Sequence, residues 1–165
     1  MIVKHTIAPV YDRHSRVLIL GSFPSVRSRA DGFFYGHPQN RFWRVIAAVL
    51  GVPVPGTTEE KKAMLLENRI ALWDVIASCE ISGSSDGSIR NARANDLSPI
   101  LGAARIRRIF TNGGTAARLY KKLIEPNTGI SAVSLPSTSP ANARYTADML
   151  IKAYGAVLLS GEEDD

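Results

Sequence analysis

Four short apolar runs, each closed by a small or polar residue and each separated by helix-periodic sequence, constrain this chain more than any other feature. "RVLIL" (Arg16–Leu20) stops at Gly21, and "RIALWDVI" (Arg69–Ile76) carries Asp74 near its end. "RIRRIFTN" (Arg105–Asn112) runs into Gly113-Gly114, and "ISAVSLP" (Ile130–Pro136) ends on proline. A run that is apolar at consecutive positions is buried on both faces, the habit of a parallel strand. Between the runs, Phe42, Val45, Ile46, Val49 and Leu50 give helical spacing over residues 40–50, and Gly51 supplies the stop. Thr57 and Glu60 form a capping-box pattern for a second helix, to about Asn68. Asp96 caps a short helix over 97–103, another helix reaches about Leu123, and a last one spans about 144–154, before a final strand "AVLLS". The polar, Gly/Ser-rich stretch 78–95 reads as a loop. Strands alternating with helices predict an α/β fold with a parallel sheet covered on both faces.

In such sheets ligands bind beyond the carboxyl ends of the strands. The strand-end segments are Gly21–Asn40, Trp73–Asn91, Asn112–Thr115 and Ser137–Arg144, and the unusual residues of the chain cluster in them. They are expected to converge on one cleft.

The densest is "GFFYGHPQNRFW" (Gly32–Trp43), which holds five of the twelve Phe, Tyr and Trp residues. Phe33, Phe34 and Tyr35 are consecutive and precede Pro38, so they cannot all face one helix core. A ring at a cleft wall is a platform for a planar base, whereas Phe42 and Trp43 suit the core. Asn40 either presents its donor and acceptor to a ligand or caps the helix behind it. Asn112, followed by glycines, either offers an amide edge to a heterocycle or makes an Asn-Gly turn. In "GSFPS", Ser22, Ser25 and Ser28 with Arg27 and Arg29 form either a phosphate cradle or an ordinary strand-to-helix turn. The "STSPANAR" segment, Ser137 to Arg144, is either a rigid groove-entering loop or the cap of the last helix. Asp74, with Asp86 and Arg90 in the next loop, either orients water or caps backbone.

Length and charge narrow the class. The 165 residues suffice for one domain with a full core and leave no room for two comfortable ones, with 161–165 as a flexible acidic tail. A net charge of +5 suits a polyanionic partner. A single cysteine, Cys79, excludes an internal disulfide and cysteine-ligated clusters, and His5, His14 and His37 show no metal spacing. No apolar run reaches membrane-spanning length and no signal-peptide pattern opens the chain, so a cytoplasmic location is expected.

At these same residues the chain resembles the uracil-DNA glycosylase superfamily. "GSFPS", "GFFYGHPQNRFW", "LWDVIASCE", "FTNG" and "STSPANAR" occur in order along nearly the whole chain. As a set they look like its hypoxanthine-DNA glycosylase (DNA-deoxyinosine glycosylase) family. The mismatch-specific uracil glycosylases, with a similar His-Pro-x-Asn-Arg-Phe-Trp run, are the nearest competitor. The resemblance implies a three-layer α/β/α sandwich around a central four-stranded parallel sheet, with no metal or cofactor. It implies a monofunctional DNA glycosylase that flips a deaminated base from double-stranded DNA and hydrolyses its N-glycosidic bond; a monomer is expected. Where the mismatch-specific enzymes carry a catalytic Asn before the strand-one proline, this chain has Phe23. Where the superfamily usually has His or Asn at the strand-four motif, it has Ser137. Both departures argue against ordinary uracil or thymine excision. The hypoxanthine family's catalytic Asn matches Asn40, its base-recognition Asn matches Asn112, and its stacking position matches Tyr35, with Phe23 a second stacking ring. Ser22, Ser25, Arg27 and Ser139 fall to phosphates, and Ser137, Asn142 and Arg144 to the groove loop. The remaining alternatives are a mismatch-specific uracil/thymine glycosylase and a non-catalytic damaged-DNA-binding module.

Overall fold

In the computed structural model, which describes residues 1–159, the four apolar runs form β2 (Val17–Gly21), β3 (Ile70–Asp74), β6 (Arg108–Asn112) and β7 (Ala132–Leu135), counting strands along the chain. They pair in parallel in the order β3-β2-β6-β7. Strand alternation divides the core. Val17, Ile19, Leu72 and Phe110 face one side, against α2 (Phe42–Leu50), α3 (Thr58–Glu67) and α7 (Ala147–Leu158). Leu18, Leu20, Ala71 and Ile109 face the other, against α4 (Ser98–Ala103) and α5 (Gly114–Leu123). The three-layer sandwich with a four-stranded parallel sheet is therefore what forms. The predicted Thr57–Glu60 capping box is present in both its hydrogen bonds.

Three expectations are corrected. Residues 78–95 are not a loop: β4 (Ile76–Glu80) and β5 (Arg90–Ala94) flank a short 3-10 turn (Asp86–Ser88), and β4 also pairs with β1 (Ile2–Lys4) in an antiparallel sheet. Two register irregularities in the β4–β5 ladder break the apolar alternation, and only Ile76 and Cys79 of β4 are buried. A solvated, bulged strand gives no clean period-2 signal. The segment Gly21–Gln39 contains α1 (Val26–Asp31), capped by Ser25 and ended by Gly32 at φ 74°. The last helix starts at Ala147 rather than Arg144, and Val157 and Leu158 continue it rather than a strand. Leu150, Tyr154 and Leu158 are buried four apart, so the helical period wins over the β-branched composition. The remaining short helix is α6 (Glu125–Thr128). Ser160 and the acidic 161–165 lie outside the described residues.

Candidate active site

All four strand-end segments line a single cleft of about 940 Å³ at the carboxyl edge of the parallel sheet. Of the residues singled out, Ser22, Phe23, Ser25, Tyr35, Asn40, Asn112, Ser137, Ser139 and Asn142 line it. Arg27 and Arg144 are exposed and lie outside its lining, and Arg27 pairs with Asp31 at 2.9 Å.

Asn40 and Asn112 are joined through one side chain that sequence reasoning passed over. Asn112 Nδ2 donates to Thr138 Oγ1 (3.0 Å), and the Thr138 hydroxyl donates to Asn40 Oδ1 (2.9 Å). The Thr138 backbone N–H returns a bond to Asn112 Oδ1 (3.0 Å). Asn40 Oδ1 also accepts the Phe42 N–H (2.9 Å), so the helix-start contact that its position suggested is made. These two bonds occupy the carbonyl oxygen. The Nδ2 amide group has no partner among the described residues and is left to the cleft. Thr138 and Asn112 are buried and Asn40 is half-buried, and the bridge holds both amides in one orientation.

The loop bearing Thr138 is tied down by Arg41. Its guanidinium donates to the backbone carbonyls of Thr138 (3.3 Å), Ser139 (2.8 Å), Asn142 (3.1 Å) and Tyr145. Inside the loop, Ser137 Oγ accepts the Ser139 N–H and Asn142 Nδ2 donates to Ser137 O. Tyr154 Oη donates to Pro136 O at the loop's start, and burial raises that phenol's pKa. The loop is thus a rigid wall, as its small residues and prolines suggest.

The rings divide. Phe33, Phe34, Phe42 and Trp43 are buried, and Trp43 Nε1 donates to Phe34 O. Tyr35 lines the cleft with one face stacked on Phe42, centroids 4.2 Å apart, so it is a supported ring rather than a free one. Its backbone is left-handed at φ 53°, a conformation that costs about 1 kcal/mol or more in a non-glycine residue and gathers at functional sites. Its hydroxyl is buried without a hydrogen bond of ordinary geometry, with the Asn112 side chain beside it. Burial, and secondly the Asp74 charge, hold its pKa well above the usual phenol value. Phe23 is buried at the cleft floor, edge-on to His5 at 6.0 Å, with the Arg29 guanidinium 5.6 Å above its ring.

The two carboxylates do not cap backbone. Asp86 accepts the Ser22 hydroxyl at 2.9 Å, and burial raises its pKa against that bond. Asp74 accepts from His5 Nε2 at 2.8 Å, both side chains being almost fully buried. Ser25 caps α1 through Ser28 N, and Ser28 Oγ in turn accepts the Gly36 N–H. Sequence spacing gave no signal for His5, Arg41 or Thr138 because their partners are 26 to 104 residues away.

A parallel α/β sandwich whose strand-end cleft is lined by paired asparagine amides, supported aromatic rings and serine hydroxyls defines a class of nucleic-acid base enzymes. The chain belongs to the uracil DNA glycosylase superfamily, whose family model matches residues 8–157. A protein of Methanosarcina acetivorans named hypoxanthine DNA glycosylase is 34% identical over 145 residues, 87% of this chain and 91% of that protein. One of the same name from Methanosarcina barkeri is 30% identical over 142 residues, 86% and 89% of the two chains. A solution NMR structure from Methanosarcina acetivorans, described as a candidate uracil DNA glycosylase, superposes with a TM-score of 0.80 at 34% identity. It covers 95% of this chain and 96% of its own.

Proposed function

We propose that this protein is a DNA-deoxyinosine glycosylase, excising hypoxanthine from double-stranded DNA by hydrolysis of the N-glycosidic bond. The observation that carries the reading is the Asn112–Thr138–Asn40 bridge on the wall of the cleft. Phe23 on the cleft floor, in place of a strand-one Asn, leaves Asn40 as the amide available to the chemistry. The two named relatives support the same substrate.

The reaction separates charge. As the C1′–N9 bond lengthens, the sugar becomes oxocarbenium-like and negative charge gathers on the departing purine; water then adds to C1′ and a proton ends on the base. Donors aimed at the developing charge lower that barrier without a strong general base. Asn40 Nδ2, its carbonyl locked by Thr138 and Phe42, is such a donor, toward the purine or the attacking water. Asn112 faces the base edge, and Tyr35 and Phe23 supply ring faces. Extrusion costs a few kcal/mol, least for a mispaired base such as inosine. The wall from Ser137 to Asn142, braced by Arg41, meets the duplex, with Arg27 and Arg144 exposed toward phosphates. We further propose that the protein works as a monomer in the cytoplasm, as one catalytic domain.

The test is a nicking assay on duplexes carrying one deoxyinosine, with alkali to cleave abasic sites, beside G·U and G·T duplexes. Cutting at inosine in excess of the mismatches supports the reading. Preference for G·U or G·T would move the protein to the mismatch-specific enzymes, and binding without base release would make it a damage-binding module.

A further inference from the structure

The bridge and the aromatic rings leave one buried polar group of the cleft without a task. Asp74, at the end of β3, lines the cleft with a side chain only 5% exposed. Its Oδ2 is held by His5 Nε2, and its Oδ1 has no partner among the described residues. An unpaired carboxylate oxygen at the wall of a cleft can accept from whatever enters it.

His5 fixes what that oxygen can be. The Ile7 N–H donates to His5 Nδ1 at 3.3 Å, so Nδ1 carries the lone pair and the ring proton sits on Nε2, pointing at Asp74. The imidazole is enclosed by Phe23, Phe34 and Trp73, centroids 6.0 to 6.3 Å away, and cannot turn over. Asp74 Oδ1 therefore faces the cleft as an acceptor. Beside it is the buried Tyr35 hydroxyl. A Cβ on Gly21 would lie 2.5 Å from Asp74 Oδ1 and 2.7 Å from Tyr35 Oη. Glycine at this position keeps an acceptor and a donor side by side.

We propose that the His5–Asp74 couple reads the lactam edge of the extruded base: Asp74 Oδ1 takes the ring N–H that stands beside the carbonyl. The assignment rests on reading the cleft as a base pocket and deepens it. Deamination of adenine converts an acceptor nitrogen beside an amino group into N–H beside C=O. The couple thus binds the edge that damage creates, and meets undamaged adenine with a lone pair against a carboxylate. Guanine carries the same lactam edge, so this contact does not exclude it; its stable pair with cytosine resists extrusion instead.

The fixed imidazole makes the test directional. In Asp74→Asn the His5 Nε2–H keeps the amide oxygen on its side, which turns the amide NH2 toward the base and inverts the edge. Single-turnover release of hypoxanthine from an inosine duplex should fall about 100-fold or more, while release of adenine from an A·C-mismatched duplex rises relative to it. Adding His5→Leu frees the amide to rotate and should restore part of the hypoxanthine rate. Titration calorimetry with free hypoxanthine and free adenine gives a readout independent of catalysis: wild type should favour hypoxanthine, and Asp74→Asn should lose or reverse that preference. An unchanged preference in Asp74→Asn, an equal loss for both bases, no recovery in the double variant, or binding of neither base by wild type each overturns the assignment. Wild-type protein that binds free hypoxanthine in preference to adenine but releases no base from DNA leaves the couple standing and refutes the proposed enzyme.

Discussion

Thr138→Val isolates the bridge between the two asparagines. Valine matches threonine in shape, so the fully buried site keeps its packing, and only the hydroxyl is lost. With it go the Asn112 Nδ2 bond (3.0 Å) and the bond to Asn40 Oδ1 (2.9 Å). One net hydrogen bond is worth about 1 kcal/mol, and the buried Asn112 amide left without its partner adds about 1–3 kcal/mol. At about 2–4 °C per kcal/mol for a domain of this size, the melting temperature should fall by roughly 4–16 °C. Catalysis should suffer more than stability. Asn40 retains its bond from Phe42 N but loses the contact that fixes its rotation, and a misplacement of about 1 Å can cost 10²-fold. Single-turnover cleavage of an inosine duplex, beside a thermal melt, separates the two effects. Thr138→Ser keeps the hydroxyl and should recover most of the rate. A valine variant that melts lower yet cleaves at the wild-type rate would refute the bridge as a catalytic element.

Other perturbations reach neighbouring parts of the site. Arg41→Lys cannot serve four carbonyls at once, so it should weaken duplex affinity by a gel-shift titration and lower the melting temperature by several degrees. Gly21→Ala places a methyl against Asp74 Oδ1 and Tyr35 Oη and should cut base release at least tenfold with the fold retained by circular dichroism. Asp86→Asn tests its raised pKa. The folded protein binds that proton more tightly than the unfolded chain, so the ionised carboxyl costs stability above its folded pKa. That cost fades as pH falls toward and below the ordinary value of 3.8. The variant should therefore melt higher than wild type at pH 8, with the difference shrinking toward pH 4. A difference constant with pH would contradict the assignment.

The parallel sheet was legible because β2, β3 and β6 are buried on both faces, which writes an unbroken apolar run into sequence. The second sheet was not, because β1 has three residues and the bulged β4–β5 pair leaves most of its side chains solvated. Asn40 and Asn112 stood out by their places at strand and helix ends. Their connection did not, because Thr138 lies 98 residues from one and 26 from the other. Tyr35 could be named from its place among the rings, but its support by Phe42 and its left-handed backbone depend on how the turn folds over α2. His5 carried no motif at all; the β1–β4 pairing and the bonds of His5 N and Ile7 O to Ala77 and Trp73 bring this segment close enough to hold Asp74.

The most direct measurement is the rate of free hypoxanthine release from a single-deoxyinosine duplex, by chromatography under single-turnover conditions, for wild type and Asn40→Ala. Asn40 Nδ2 acts as charge separates rather than as the duplex binds. Wild type should therefore release one hypoxanthine per inosine, and the variant should be slower by about 100-fold or more, with duplex affinity within a few-fold of wild type. Wild-type protein that releases no hypoxanthine, or an alanine variant that releases it at the wild-type rate, would contradict the account.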